Sequence, residues 1–328
     1  MDELLFKTEK QEPGAKEVVH IPVLLKEILQ YLQLKEGGIY VDCTIGEGGH
    51  SQKILKNIGE KGFLVGLDKD AKLLDIAKKR LAKISKNFAL INDDFLNLPS
   101  HLKMLKLNKV DGILFDFGIS SFQLENFSRG FSFKNNGPLD MRFDSSSLLI
   151  CEELINQANY EELYQILKDF GEERRASLIA RRIIQKRKEK RIKTTFELAE
   201  IASKALGKGK GKIDPATRTF QAFRIAVNKE LESIEKILPQ IPDLLADGGI
   251  ACAISYHSLE DRLVKRAFKA AKEMGTMKII TKKPIRPLYE EIIKNSRSRS
   301  AKLRVAEKIK FVRKSVKEME FMPYELSN

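Results

Sequence analysis

A chain of 328 residues with 42% apolar side chains, 20 glycines and 10 prolines can bury a sizeable core as two domains, or as one with an insertion, which excludes disordered, collagen-like and repeat-tract readings. Three cysteines and four histidines with no C-x-x-C spacing exclude a zinc cage and a disulfide framework, and no apolar run approaches the ~18 residues needed to cross a bilayer. The net charge is +14 and clustered: residues 171–212 hold 14 Lys/Arg against 5 Asp/Glu and residues 262–317 hold 19 against 4, which leaves −10 elsewhere and marks a binder of polyanions.

Apolar positions Leu24, Leu25, Ile28, Leu29 and Leu32 predict a helix over 23–33, with Pro22 suited to its first turn. Gly37 and Gly38 end it, and Ile39, Tyr40 and Val41 read as a buried strand. A glycine turn, Gly46-Glu47-Gly48-Gly49-His50, then leads into a helix near Ser51. A strand over 63–67, a helix over 72–84, a strand over 88–91, a connection with a helix and a strand over 112–115 follow. Such alternation predicts an α/β fold built on a doubly wound, mostly parallel sheet. It stops at 120–144, a Ser-, Phe-, Asn- and Gly-rich stretch that reads as a long loop, and 148–205 reads as consecutive basic helices. It resumes with a helix over 216–238, a strand over 250–254 and a helix over 259–272, and the segment ending at Glu307 reads as an edge strand. Residues 1–140 plus 215–328 are therefore expected to form the sheet domain, with 141–214 an all-helical insertion.

Glycines after a first strand let a ligand approach the backbone at a helix N-terminus. This turn is not a dinucleotide fingerprint, because Ser51 stands where the third glycine is expected, and no Gly-Lys-Ser/Thr follows to make a phosphate loop. Glu47 and Asp42 add negative charge, which suits a cationic ligand such as S-adenosylmethionine. Asp68 closes the second strand 20 residues beyond Gly48, where a carboxylate can accept both ribose hydroxyls of an adenosine; capping the next helix is its competing role. Asp94 and Phe95 follow the third strand and Asp116 the fourth. Asp42, Asp68, Asp94 and Asp116 are thus expected to converge on the carboxyl edge of the sheet, where open α/β sheets bind ligands.

The segments 20–27 (HIPVLLKE), 46–51 (GEGGHS), 116–124 (DFGISSFQL), 129–133 (RGFSF), 137–142 (GPLDMR), 217–225 (TRTFQAFRI) and 255–262 (SYHSLEDR) resemble, in order, the RsmH (MraW) family of bacterial 16S ribosomal RNA cytosine-4-amino methyltransferases. The resemblance covers about 20–307. It implies a class I S-adenosylmethionine-dependent methyltransferase whose helical insertion serves the RNA substrate. The implied reaction is methylation of a cytosine in the decoding region, with 16S rRNA or the small ribosomal subunit as partner. Carried over by position, the family's cofactor contacts fall on Gly48, Gly49, His50, Asp68, Phe95, Asp116 and Gln123, the last by resemblance alone. Phe122, Phe117 and Ser296 stand where the family usually has proline, leucine and proline.

Methyl transfer from a sulfonium is one in-line displacement that needs alignment and no metal. An acceptor for the amine protons helps the nitrogen rehybridise, and Asp116 is the leading candidate. Ring-carbon methylation would need a thiolate, whereas Cys43 and Cys252 lie at or within strands and Cys151 opens a helix, so the residues favour the amine. His257 is read as contacting the base or shuttling a proton, against the commoner packed histidine. Asp140 and Arg142 either pair with each other or meet the RNA. Gln221, Arg224 and Asn228 share a helical face that reaches the substrate or ties the helix to the loop, and Arg218 is assigned to the substrate with them. Phosphate contacts are expected at 181–193 and 297–304, and Phe127, Phe131 and Phe133, interleaved with Arg129, serve either as stacking faces for bases or as a loop core. The start, MDELLFK, carries no signal pattern, so the chain is expected in the cytoplasm with no membrane partner; a homodimer is left open. Two other functions compete: a non-enzymatic ribosome-assembly factor, and a nicotinamide-dependent oxidoreductase, against which the acidic glycine turn argues.

Overall fold

The computed structural model describes residues 22–207 and 214–309. Seven strands, β1 (Ile39–Asp42), β2 (Phe63–Asp68), β3 (Phe88–Asn92), β4 (Val110–Asp116), β5 (Leu245–Ser255), β6 (Met277–Ile279) and β7 (Lys302–Lys308), form one sheet in the order β3-β2-β1-β4-β5-β7-β6. β1 to β5 are parallel, and β7 is antiparallel to both its neighbours. The doubly wound sheet is the one that the alternation predicts. Its last strand is not at the edge, however. β7 lies between β5 and β6, with Leu303 to Ala306 buried, and the edge belongs to β6, whose three residues are too few to show a pattern in sequence.

Helices α1 (Leu25–Leu32), α2 (Gly49–Ile58) and α3 (Ala71–Leu81) cover one face of the sheet, with Ile28, Ile54, Leu55 and Leu81 packed among Leu64, Leu114 and Ile254. α4 (Leu98–Met104) lies on the other face. A short helix, α5 (Ser121–Glu125), interrupts the stretch expected to be loop; Ser120 and Gln123 close a capping box at its start. Next, α6 (Cys151–Gln157), α7 (Tyr160–Gln165), α8 (Ala176–Glu189), α9 (Thr195–Leu206) and α10 (Ala216–Asn228) build a helical layer. Its core runs from Phe131 to Phe223 and takes in residues on both sides of 141–214. α11 (Glu230–Ile237), α12 (Ile241–Leu244) and α13 (Ser258–Glu273) join α4 against the sheet, and α14 (Tyr289–Lys294) precedes β7. No helix among the described residues is long and apolar enough to cross a membrane.

Two helix boundaries depart from the sequence pattern for the same reason. The helix expected over 216–238 is split, because Lys229 adopts φ 52° between α10 and α11. Neither Gly nor Pro announces the break. Long-range partners fix it: Asn228 donates to Met141 O and accepts from Phe143 N–H, both at 2.7 Å, while Arg224 pairs with Glu230 across the corner. Likewise α1 starts two residues late, because Leu24 takes φ 53° and its N–H donates to Glu291 Oε1 at 2.8 Å.

Candidate active site

A cavity of about 460 Å³ opens at the carboxyl edge of the sheet, a size that suits a small-molecule ligand. One wall is the turn after β1, the start of α2 and the ends of β2 and β4; the facing wall brings Arg224, Glu230, Tyr256 and Glu260. Gly46 takes φ 53°, and its N–H donates to Asp68 Oδ2 at 2.9 Å; Asp68 Oδ1 accepts from the Asp70 N–H at 2.9 Å. Asp68 therefore shapes the glycine turn and faces the cavity. The capping role that competed for it falls two residues on, where Asp70 accepts from the Lys72 N–H. At Gly49 a Cβ would stand 2.7 Å from Pro22 Cγ, so only glycine permits this wall. Gly48, by contrast, turns the chain at φ 79° and packs on Ala77 without lining the cavity.

Asp116 is the hub of the facing contacts. Its Oδ1 accepts from the Tyr256 O–H at 2.8 Å, and its backbone N–H donates to Thr44 Oγ1 at 2.6 Å. Oδ2 lies 3.7 Å from His50 Nδ1. His50 Nε2 is 2.8 Å from Val23 O; a carbonyl only accepts, so the proton sits on Nε2. Burial pushes the His50 pKa down and leaves the ring neutral. Burial pushes Asp116 up to about 7 against the Tyr256 hydrogen bond, with the Glu260 charge adding to the rise. Asp68 is likewise pushed up to about 7, by burial against two backbone N–H bonds. Gly118 at φ 131° lets the Tyr256 ring close on the turn, since a Cβ there would come within 3.0 Å of it.

The expected rim of four acids is corrected at two of them. Asp42 is buried and accepts from the Ser51 O–H at 2.7 Å, off the cavity wall. Asp94 pairs with Lys69 and accepts from the Ser233 O–H, both at 2.6 Å, so its neighbour Asp93 lines the cavity instead. Phe95 lines the cavity and meets Phe115 edge-on, ring centroids 5.6 Å apart. Phe117, where leucine is usual, stacks on Phe115 at 5.4 Å and extends this aromatic floor. Gln123 is buried at the wall; its Nε2 donates to Asp70 Oδ2 at 3.0 Å, the same oxygen that Arg129 holds at 2.7 Å.

The residues assigned to substrate divide. Arg224 reaches the cavity, fixed by two 2.8 Å bonds to Glu230. Asn228 ties α10 to the loop as described, Gln221 donates to Phe170 O at 3.0 Å and Arg218 to Glu172 O at 3.2 Å, all away from the cavity wall. Asp140 and Arg142 pair with each other through two 2.8 Å bonds, and Arg142 also holds two carbonyls of its own loop. His257 caps α13, with Nε2 3.0 Å from Glu260 Oε1, and does not line the cavity; Tyr256 and Glu260 on either side of it do. Phe131 stacks on Phe143 and Phe133 meets Phe220, so both serve the loop core, whereas Phe127 is exposed. Arg297 faces the cavity while pairing with Glu125 at 2.9 Å, and Arg304 is buried against Asp261. The basic residues at 208–212 and 310–317 lie outside the described residues.

Sequence reasoning missed Tyr256, Glu230 and Glu260. The first and last stand within 255–262, just past a strand that ends on the ligand edge, which was signal enough to look for them. Cys43 lines the cavity, but burial and the Asp42 carboxylate push its thiol well up; burial does the same for Cys151 and Cys252. No three metal-ligating side chains gather among the described residues.

Residues 17–309 match the sequence model of the MraW methylase family. Three curated proteins similar to this chain are each named Ribosomal RNA small subunit methyltransferase H. That of Sulfurihydrogenibium sp. is 49% identical over 295 residues, covering 89% of this chain and 100% of the relative. That of Halothermothrix orenii is 45% identical over 308 residues, covering 88% and 98%. The protein of Clostridium botulinum strain Kyoto is 46% identical over 309 residues, covering 89% and 100%.

Proposed function

This chain belongs to the MraW methylase family, and we propose that it methylates the exocyclic 4-amino group of a cytosine in the decoding region of small-subunit ribosomal RNA, with S-adenosylmethionine as donor. The observation that carries the reading is the pair Asp68 and Asp116, two carboxylates on one cavity whose pKa values are both pushed up to about 7. Buried acids in that state are stabilised by an incoming cation, and a sulfonium is one. The fit extends to the walls: Asp68 would hold the ribose hydroxyls, Phe95 would face the adenine, and the turn from Gly46 to Gly49 would let the backbone approach closely.

Bound S-adenosylmethionine supplies an electrophilic methyl group on sulfur. The chain's own work is on the acceptor. Tyr256 occupies Asp116 Oδ1, and burial with the Asp116 charge pushes its phenol well up, so it remains a donor. Asp116 Oδ2 is then the atom left to accept an N–H of the cytosine amine. That hydrogen bond draws electron density back onto the nitrogen as the new N–C bond forms, and Oδ2 takes the proton that the amine loses. Arg224 and Glu230 hold the facing wall, where the base would enter. The raised thiols support amine over ring-carbon methylation, which would need a thiolate at neutral pH.

The test is transfer of labelled methyl from S-adenosylmethionine to small ribosomal subunits or their RNA, followed by digestion and mass analysis. Label on cytosine N4 is expected. A ring-carbon product, or label only in protein or DNA, overturns the reading, and RNA binding without any transfer leaves an assembly factor in its place.

A further inference from the structure

The outer face of α2 and α3 carries a charge pattern that the regional sums conceal. Residues 51–86 hold ten Lys/Arg against four carboxylates, and two of the four, Asp68 and Asp70, turn inward to the site. Lys53 and Lys56 project from α2, Lys79 from α3, and Lys83 and Lys86 from the turn beyond it, all exposed. None of these five forms an ion pair among the described residues. Elsewhere some exposed helical lysines pair with a carboxylate three or four places away, as Lys186 with Glu189, Lys204 with Glu200 and Lys269 with Glu273. Like charges at such spacings repel, so folding gains nothing from Lys53 beside Lys56 or Lys79 beside Lys83. The helix dipole favours a cation in each last turn, which accounts for Lys56 and Lys79 but not for the three that crowd them.

Between α2 and the turn beyond α3 runs a groove of about 490 Å³, lined by Lys53, Lys56 and Lys83, with Glu60 its one carboxylate. Three cations against one carboxylate give the cleft a net positive charge, and a cleft dominated by one sign attracts a polyanion. α2 starts beside the active-site cavity at Gly49 and runs for ten residues, which sets its far end about 15 Å away. We propose that this groove is a second RNA-binding surface, holding the phosphodiester backbone of a folded part of the RNA while the target base occupies the cavity. The proposal rests on the RNA-substrate reading above and adds to it that recognition reaches well beyond the reacting nucleotide. Phosphate contacts supply most of the affinity and orient the substrate, and a separation of this size suits a folded RNA.

The variant K53Q/K56Q/K83Q removes three surface charges and no side-chain contact of the fold. Filter retention of small-subunit ribosomal RNA across a salt series should weaken at least tenfold relative to wild type. The slope of log K against log salt should fall by about 2–3, one near-unit step per lost phosphate contact. In methyl transfer, KM for RNA should rise in step while kcat and the affinity for S-adenosylmethionine stay within twofold. A second variant, K103Q/K106Q/K236Q, takes the same charge from α4, the turn after it and α11, and should leave retention within threefold. Unchanged retention and slope in the first variant, or an equal loss in the second, overturns the proposal. If the wild-type protein retains RNA but transfers no methyl, the enzymatic reading fails and the retention comparison still decides the groove. A wild-type protein that retains no RNA overturns the groove wherever the methyl goes.

Discussion

Asp68 and Asp116 ionise far above the range of exposed carboxyls, near 7 rather than near 4. The ligand-free fold therefore keeps two protons that the unfolded chain loses between pH 4 and 7, and these groups cost stability as pH rises through that window. A cation in the cavity reverses the preference. Binding of S-adenosylmethionine should expel protons between pH 6 and 7, and its affinity should grow about tenfold from pH 6 to pH 8 for each carboxylate that must ionise. Calorimetry in two buffers of different protonation enthalpy counts the protons; none released at pH 6.5, or the same number released by D68N/D116N, would contradict the assignment. Tyr256 acts at one remove, because its hydroxyl holds Asp116 down. Tyr256→Phe keeps the ring against Gly118 and removes the donor, so the acid limb of the kcat profile should move to higher pH, and the pH below which cofactor affinity falls should move up with it. A uniform fall in kcat with no shift of the profile would make the tyrosine merely structural. Asp68 and Asp116 were legible in the sequence because both end apolar strands, a local pattern. The Arg224–Glu230 pair was not, since the backbone reversal at Lys229 that makes it leaves no residue-type signature.

The elements show the same division between local and long-range signals. Strands β1 to β5 follow from short apolar runs between turn residues, and α13 follows from its own periodicity. The α10–α11 break follows instead from partners far along the chain. Lys229 holds left-handed backbone without side-chain compensation, and that geometry costs an L residue roughly 1–2 kcal/mol. Lys229→Gly should therefore raise stability by about 0.5–1 kcal/mol once the greater freedom of glycine in the unfolded chain is counted, as read from urea denaturation. A loss would mean that the strain is relieved elsewhere in the corner. The opposite outcome is expected where the loop after β4 is pinned to α3. Arg129 is buried there, with Asp70 at 2.7 Å and the carbonyls of Arg142 and Phe143 at 2.7 and 3.0 Å. Arg129→Met leaves Asp70 without its counter-ion and should cost about 3–5 kcal/mol, part of which D70N/R129M recovers.

For the whole molecule, the sheet and the helical layer have separate cores, joined through the loop after β4 and the corner at α10. The cofactor wall and that loop meet in one chain of contacts: Asp68 accepts from the Asp70 N–H, Asp70 holds Gln123 and Arg129, and Arg129 holds the carbonyls of residues 142 and 143. Occupying the cavity should stabilise the protein by about 2.7 kcal/mol at a hundredfold excess of ligand over Kd, whatever the local route. The route decides where amide exchange slows. Because the contacts lead from β2 through the loop, exchange should slow most at 117–130 and 141–143. It should change little in α8, whose buried side chains Ile179, Ala180 and Ile183 belong to the helical core and touch no wall of the cavity. Equal slowing in α8 would mean that the two cores unfold as one cooperative unit. Slowing confined to α2 and α3 would mean that the loop takes no part in holding the ligand, and the helical layer would then have to meet its substrate without being set by the cofactor.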